Sequence, residues 1–144
     1  MTLEAGQRTL IQAGAVLFLL GLLQGAVVQD FANPRMALSA HLTAVQSGTA
    51  LMVTGAVWRW ASLSPLVSGL ARWAIIVGMY MLWIGLTGAA ITGASSMVPI
   101  AGAGYRADAG TEQFISALVL AGSGAMTLGW LLFVIGLFRQ PPDL

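Results

Sequence analysis

The chain has 144 residues, 58% of them hydrophobic and 8% charged, with a formal net charge of +1. A soluble domain carries about 25% charged residues, so this chain lacks the means to cover a water-facing surface, and its near-zero charge gives no electrostatic basis for binding nucleic acid. It has no cysteine, which excludes disulfides, CxxC zinc sites, iron–sulfur clusters and thiol nucleophiles.

Mean hydropathy is +0.85, and four apolar runs fill the chain. We therefore expect an all-α integral membrane four-helix bundle, a single domain over residues 1–144. MTLEAGQRTLIQ is a short polar head. The run after it, about 10–28, meets the roughly 20 residues needed to cross a bilayer. It is too long for the apolar core of a signal peptide, so it is expected to stay as the first span. Asp30, Asn33 and Pro34 end it, since the residue before proline avoids helical backbone. Asp30 is a candidate cap or partner for Arg35.

The second run, about 36–60, is less hydrophobic. It holds His41, the only histidine, with Ser39, Thr43, Gln46 and Ser47 at spacings that suggest one helix face. Lipid cannot satisfy such a face, so it is expected to point into protein. SLSP (Ser62 to Pro65) is a turn. The third run, about 70–92, carries Gly85, Gly88, Ala89 and Thr92 as a small-residue stripe suited to close helix packing. The loop ITGASSMVPIAGAGYRADAGTEQ is too long for a simple turn, and its apolar MVPIAG core is expected to fold back over the helix ends. The fourth run, about 114–138, contains the close-packing segment GSGAM (Gly122 to Met126), and FRQPPDL is the tail. Trp58, Trp60 and Trp73 are expected in an aromatic belt. No long internal repeat is visible. Arg8, Arg59, Arg72 and Arg139 fall on one side of the four spans, Arg35 and Arg106 on the other. The positive-inside rule then puts both termini in the cytoplasm.

His41 is the leading candidate for chemistry, because ionisable groups inside a membrane mark functional sites. A zinc or di-iron cage needs three or four protein ligands, and one histidine with Asp108 and Glu112 in a loop does not supply them. A haem needs one axial imidazole, and a general base needs no more. Arg35 and Arg106 are either interface anchors or a clamp for haem propionates or another anionic group. Tyr80, in the third span, either bonds a carbonyl or faces the pocket as an acid or donor. A helix-end histidine bonded to a carbonyl remains the bland alternative for His41.

NPRMALSAHL (Asn33 to Leu42), the four-span plan and the loop segment SMVPIAG resemble the hydroxylaminobenzene mutases, small bacterial membrane proteins. AHLTAVQSG, with His41 and Gly48, is more distantly similar to the segment that opens the second span of the styrene oxide isomerases. The resemblance implies a membrane isomerase that rearranges an arylhydroxylamine, such as hydroxylaminobenzene, to an aminophenol. It also implies haem b with His41 as axial ligand of the iron, a homotrimer, and a place in the bacterial inner membrane. In the isomerases a tyrosine and an asparagine help the reaction, and Tyr80, Arg35 and Ser47 are the candidate catalytic side chains of this chain. Two departures stand out: Ser47 occupies the position of an asparagine in the isomerases, and Tyr80 does not align clearly with their third-span tyrosine. An epoxide isomerase and a non-enzymatic membrane subunit are the alternatives; a proton-driven transporter is disfavoured because no acid lies within a span.

Overall fold

The computed structural model describes residues 4–139, and Gln140 to Leu144 of the expected tail lie outside the described residues. Four helices carry the fold: α1 (Ala5–Ala26), α2 (Pro34–Val57), α3 (Pro65–Thr92) and α4 (Ala109–Phe138). Short 3₁₀ turns, Val28–Asp30 and Trp58–Trp60, bracket α2. Among the described residues α1, α3 and α4 are long and apolar enough to cross a membrane by length and composition. α2 is as long as α1 but more polar. It runs antiparallel beside α1, from Gln7 against Gly55 at one end to Gly21 against Ala44 near the other, and so occupies the same depth.

Most helices begin earlier than their apolar runs, because capping rather than hydropathy sets the first turn. Glu4 and Gln7 form a reciprocal capping box on α1. Asn33 Oδ1 accepts the Met36 amide at 3.1 Å, with Pro34 in the first helical position of α2. Asp108 accepts from Gly110 and Thr111 and starts α4 well before Phe114. α3 ends at Gly93, whose φ of +81° is the left-handed cap that glycine adopts without strain.

Two hairpins, α1–α2 and α3–α4, are built by the same glycine crossing. A Cβ on Gly48 would stand 2.6 Å from the Phe18 amide nitrogen and 2.7 Å from the Gly14 carbonyl oxygen. A Cβ on Gly78 would stand 2.5 Å from the Met126 nitrogen and 2.7 Å from the Gly122 carbonyl. The match continues along both hairpins. Gly21 packs on Val45 as Gly85 packs on Val119, and Gly55 faces Gln7 and Ile11 as Gly129 faces Ala71 and Ile75. A repeat that was not visible in the sequence is therefore present in the packing. Of the expected stripe, Gly85, Gly88 and Ala89 fall on this α3–α4 contact together with Gly122 and Met126 of GSGAM, whereas Thr92 is exposed and returns its hydroxyl to Gly88 O.

α2 and α3 join the hairpins through a core that includes Leu17, Leu51, Ile75, Met79 and Phe133. Trp58 belongs to that core rather than to an interfacial belt. It is 5% exposed, stacks on Phe133 with ring centroids 5.1 Å apart, and donates to Ser68 Oγ. Trp60 and Trp73 are exposed as expected.

The α3–α4 loop folds back over the helix ends, as anticipated. Asn33, fully buried, donates from Nδ2 to Ala101 O at 3.0 Å, while its amide donates to Ala90 O. Glu112 accepts the amides of Ser95, Ser96 and Ala107 at 3.0–3.1 Å. Those amides, Ser96 first and then Ala107, hold its carboxyl down from 4.5 to about 2.

Two outcomes follow. Gly78→Ala is expected to cost about 1–3 kcal/mol, read as a lower thermal midpoint in detergent, because the added carbon meets backbone that cannot turn aside. Gly124→Ala, with no heavy atom within 4 Å of the added carbon, should hold or slightly raise the midpoint, since alanine is the better helix former; equal midpoints for the two variants would refute the crossing argument. For Glu112 the folded value lies below the ordinary one. Its contribution is thus complete above about pH 4.5 and is lost as pH falls toward about 2. Protection of the Ser95, Ser96 and Ala107 amides, taken relative to the intrinsic exchange rate at each pH, should fall across that window, and Glu112→Gln should remove that fall. A wild-type loop indifferent to pH between those limits would contradict it.

Candidate active site

His41 sits two turns into α2, on the flank that meets the C-terminal end of α1. Its Nδ1 lies 2.7 Å from the Gly21 carbonyl oxygen. A carbonyl only accepts, so Nδ1 carries the proton, and in the neutral ring Nε2 keeps its lone pair. The ring lies against Gly25, where a Cβ would stand 2.7 Å from Cε1 and 2.8 Å from Nδ1. His41 also lines an open cleft of about 500 Å³ with Gly25, Val28, Gln29, Pro34, Arg35 and Leu38.

The cleft lies on the outer flank of the α1–α2 hairpin, where Leu38, Gln29 and Arg35 are exposed. This corrects the expectation of an inward polar face. Gln46 and Thr49 are exposed, Thr49 turns its hydroxyl back to Val45 O, and Ser39 bonds Arg35 O. The spacing misled because six residues carry Ser47 about 120° around the helix from His41. Ser47 is buried, 8% exposed, next to the Gly14–Gly48 crossing.

Of the expected site residues, the fold brings Arg35 to His41 and leaves the others elsewhere. Arg35 lines the cleft and donates from Nη2 to Ala103 O, tying it to the α3–α4 loop. Asp30 lies instead beside a separate, largely apolar pocket with Val27, Phe31, Ala32 and Ile91. Arg106 is exposed on the loop and does not line the His41 cleft. Tyr80 donates to Ala13 O at 2.9 Å, two turns of α1 away from Gly21, so its hydroxyl is held by backbone. Asp108 caps α4, and its carboxyl is lowered by the Thr111 hydroxyl and amide.

Two features escaped the sequence reading. One is the glycine pair Gly21 and Gly25 that receives the imidazole. The other is Gln24, 7% exposed, which accepts from Trp83 Nε1 at 2.7 Å and donates to Thr87 Oγ1 at 3.1 Å. The signal was in QGAVV at the end of the first run: a glutamine in hydrocarbon must find partners in protein.

The residues of the cleft fit a haem as its donors go. One imidazole is bonded to backbone through Nδ1, Val28, Pro34 and Leu38 give apolar lining, and Arg35 lines the same cleft. Among the described residues no three histidine or acidic side chains converge as a metal cage would require.

A sequence model of the styrene oxide isomerase family matches residues 6–138. Two curated relatives, both from Ectopseudomonas oleovorans, are similar over almost the whole chain. Hydroxylaminobenzene mutase HabA is 33% identical over 134 residues, 92% of this chain and 99% of its own. Hydroxylaminobenzene mutase HabB is 36% identical over 135 residues, 93% of this chain and 82% of its own. No solved structure matches the chain. With its helical membrane architecture and a family match over nearly its full length, the chain belongs to the styrene oxide isomerase family of isomerases.

Proposed function

We propose that this protein is a membrane mutase that converts an arylhydroxylamine to an aminophenol at the His41 cleft. The observation that carries the reading is the imidazole itself: Nδ1 is engaged by Gly21 O, and the ring lines a cleft shared with Val28, Pro34, Leu38 and one guanidinium, that of Arg35. The names of the two mutases supply the substrate class. In the reaction the N–O bond breaks, a C–O bond forms on the ring, one ring proton leaves and the nitrogen regains one. Substrate and product are isomers, so no electrons enter or leave.

A haem b held by His41, with Arg35 at its rim, would supply a Lewis-acidic iron to polarise the N–O bond. The chain's own residues do the rest. Gly21 fixes the orientation of the His41 ring. Val28, Pro34 and Leu38 keep bulk water from the charge-deficient ring, so that it meets one chosen oxygen. Arg35 presents N–H donors to the departing hydroxyl or to an anionic group. Tyr80, Ser47 and Arg106 have no part in this reading, since they lie outside the cleft. The family match favours a second substrate class, an aryl epoxide opened and rearranged in the same cleft.

The assembly proposed is a homotrimer in the bacterial inner membrane with both termini cytoplasmic. Gln46 supports it: an exposed amide within α2 finds no partner in hydrocarbon and calls for a second copy. The four-to-two division of arginines supports the orientation.

Membranes containing the protein should convert phenylhydroxylamine to 2-aminophenol without added NADH or oxygen, and the purified protein should show a Soret band. His41→Ala should abolish both. Arg35→Ala should slow turnover about 10²- to 10³-fold if its N–H donors stabilise the departing hydroxyl, and hardly at all if it only ties the loop. Activity on neither arylhydroxylamines nor styrene oxide above empty-vector membranes would refute the isomerase reading; a colourless, fully active protein would remove haem alone. In mild detergent the mass should be that of three chains, and a C-terminal reporter should work in the cytoplasm. A monomer-only mass, or a reporter active only in the periplasm, would overturn the corresponding part.

A further inference from the structure

We infer that Gly25, acting with the Gly21 carbonyl, is a positioning residue that seats the His41 ring and fixes its tautomer. The inference deepens the proposed function, resting on His41 as the functional side chain, and does not depend on what Nε2 meets in the cleft.

Three observations carry it. First, the 2.7 Å contact from Nδ1 to Gly21 O requires a proton on Nδ1. In the neutral ring that leaves Nε2 as the unprotonated nitrogen. Second, the ring lies against Gly25. A Cβ there would stand 2.7, 2.8 and 3.3 Å from Cε1, Nδ1 and Nε2. All three are closer than ordinary van der Waals contact between such atoms, so any side chain pushes the whole ring away and pulls Nδ1 off its carbonyl.

The third observation is internal to the molecule. The α3–α4 hairpin repeats the first, with Gly85 in the place of Gly21 and Val119 in the place of Val45. Four residues beyond Gly21 stands Gly25; four beyond Gly85 stands Ala89. Four residues before Val45 stands His41; four before Val119 stands Ile115. The hairpin with a ring at this crossing has glycine beneath it. The hairpin without a ring carries a methyl group there, fully buried. Close approach of the backbones therefore tolerates a methyl group at this position, where Ile115 lies over the neighbouring Gly88 and the imidazole lies over Gly25 itself.

His41 is the only histidine, so a protein purified through a tag free of histidine gives an unambiguous ring spectrum. With ¹⁵N-histidine labelling and no haem or substrate added, proton–nitrogen correlations at mildly alkaline pH should show Nδ1 protonated and Nε2 bare. Gly25→Ala should lose this single-tautomer signature, and Gly124→Ala should keep it. A proton on Nε2 in the wild type, or an unchanged spectrum in Gly25→Ala, would overturn the inference.

A double-mutant cycle covers the case in which Gly25→Ala does not fold. Gly25→Ala should lower the thermal midpoint when His41 is present and leave it nearly unchanged in a His41→Ala background. Equal losses in the two backgrounds would overturn the seat. Because neither measurement uses turnover, a protein inactive on arylhydroxylamines but showing the Nδ1–H ring would refute the proposed function and leave the seat standing.

Discussion

The close approach of helix backbones at glycine is the constraint on which the structure depends. In hydrocarbon, lipid tails are as apolar as leucine, so helices gain little from hiding apolar side chains and adhere through close packing and polar contacts. Gly14 with Gly48, and Gly78 with Gly122, bring backbone against backbone. The imidazole site inherits this geometry, for His41 can reach the Gly21 carbonyl only because α1 and α2 already lie so near. One packing solution is used twice, and one of its copies holds the imidazole.

The second demand of hydrocarbon is that every buried polar group finds a partner within protein. Many of the hydroxyls turn inward on their own helix: Thr9, Thr49, Thr54, Thr92 and Thr127 all donate to the carbonyl four residues back. Gln24 instead bridges helices and ties α1 to α3 through Trp83 and Thr87. Tyr80 adds a second tie between the same helices through Ala13 O. Asn33 does comparable work at the membrane edge, capping α2 while holding both the end of α3 and the loop. The sturdiness of the bundle around His41 thus rests on a few polar bonds as much as on its apolar core.

What could be read from the sequence divides along physical lines. Apolar runs, the small-residue stripe of α3 and the returning loop were legible because composition alone decides them. Helix starts were not, since Asn33 and Asp108 act through single hydrogen bonds outside the apolar runs. Trp58 looked interfacial by position but turns inward, because α2 gives way to a 3₁₀ turn at Val57. His41 was visible as a lone imidazole. Its seat was not, because Gly21 and Gly25 are two of 18 glycines and only the α1–α2 register singles them out. The repeat of the hairpins escaped for the same reason: it is carried by glycine register and scarcely by other side chains.

The cleft beside His41 opens on the flank of a membrane hairpin and not along the bundle axis. On the proposed function, a small aromatic ligand that enters there is drawn from the bilayer, where its abundance is fixed by partitioning and by the amount of lipid. Saturation is then a matter of molecules per lipid rather than molecules per litre. Adding empty vesicles dilutes such a ligand without changing its total amount, and a more lipophilic ring gains occupancy without any better contact with the protein. Preference among substrates is in this way divided between the pocket and the membrane around it.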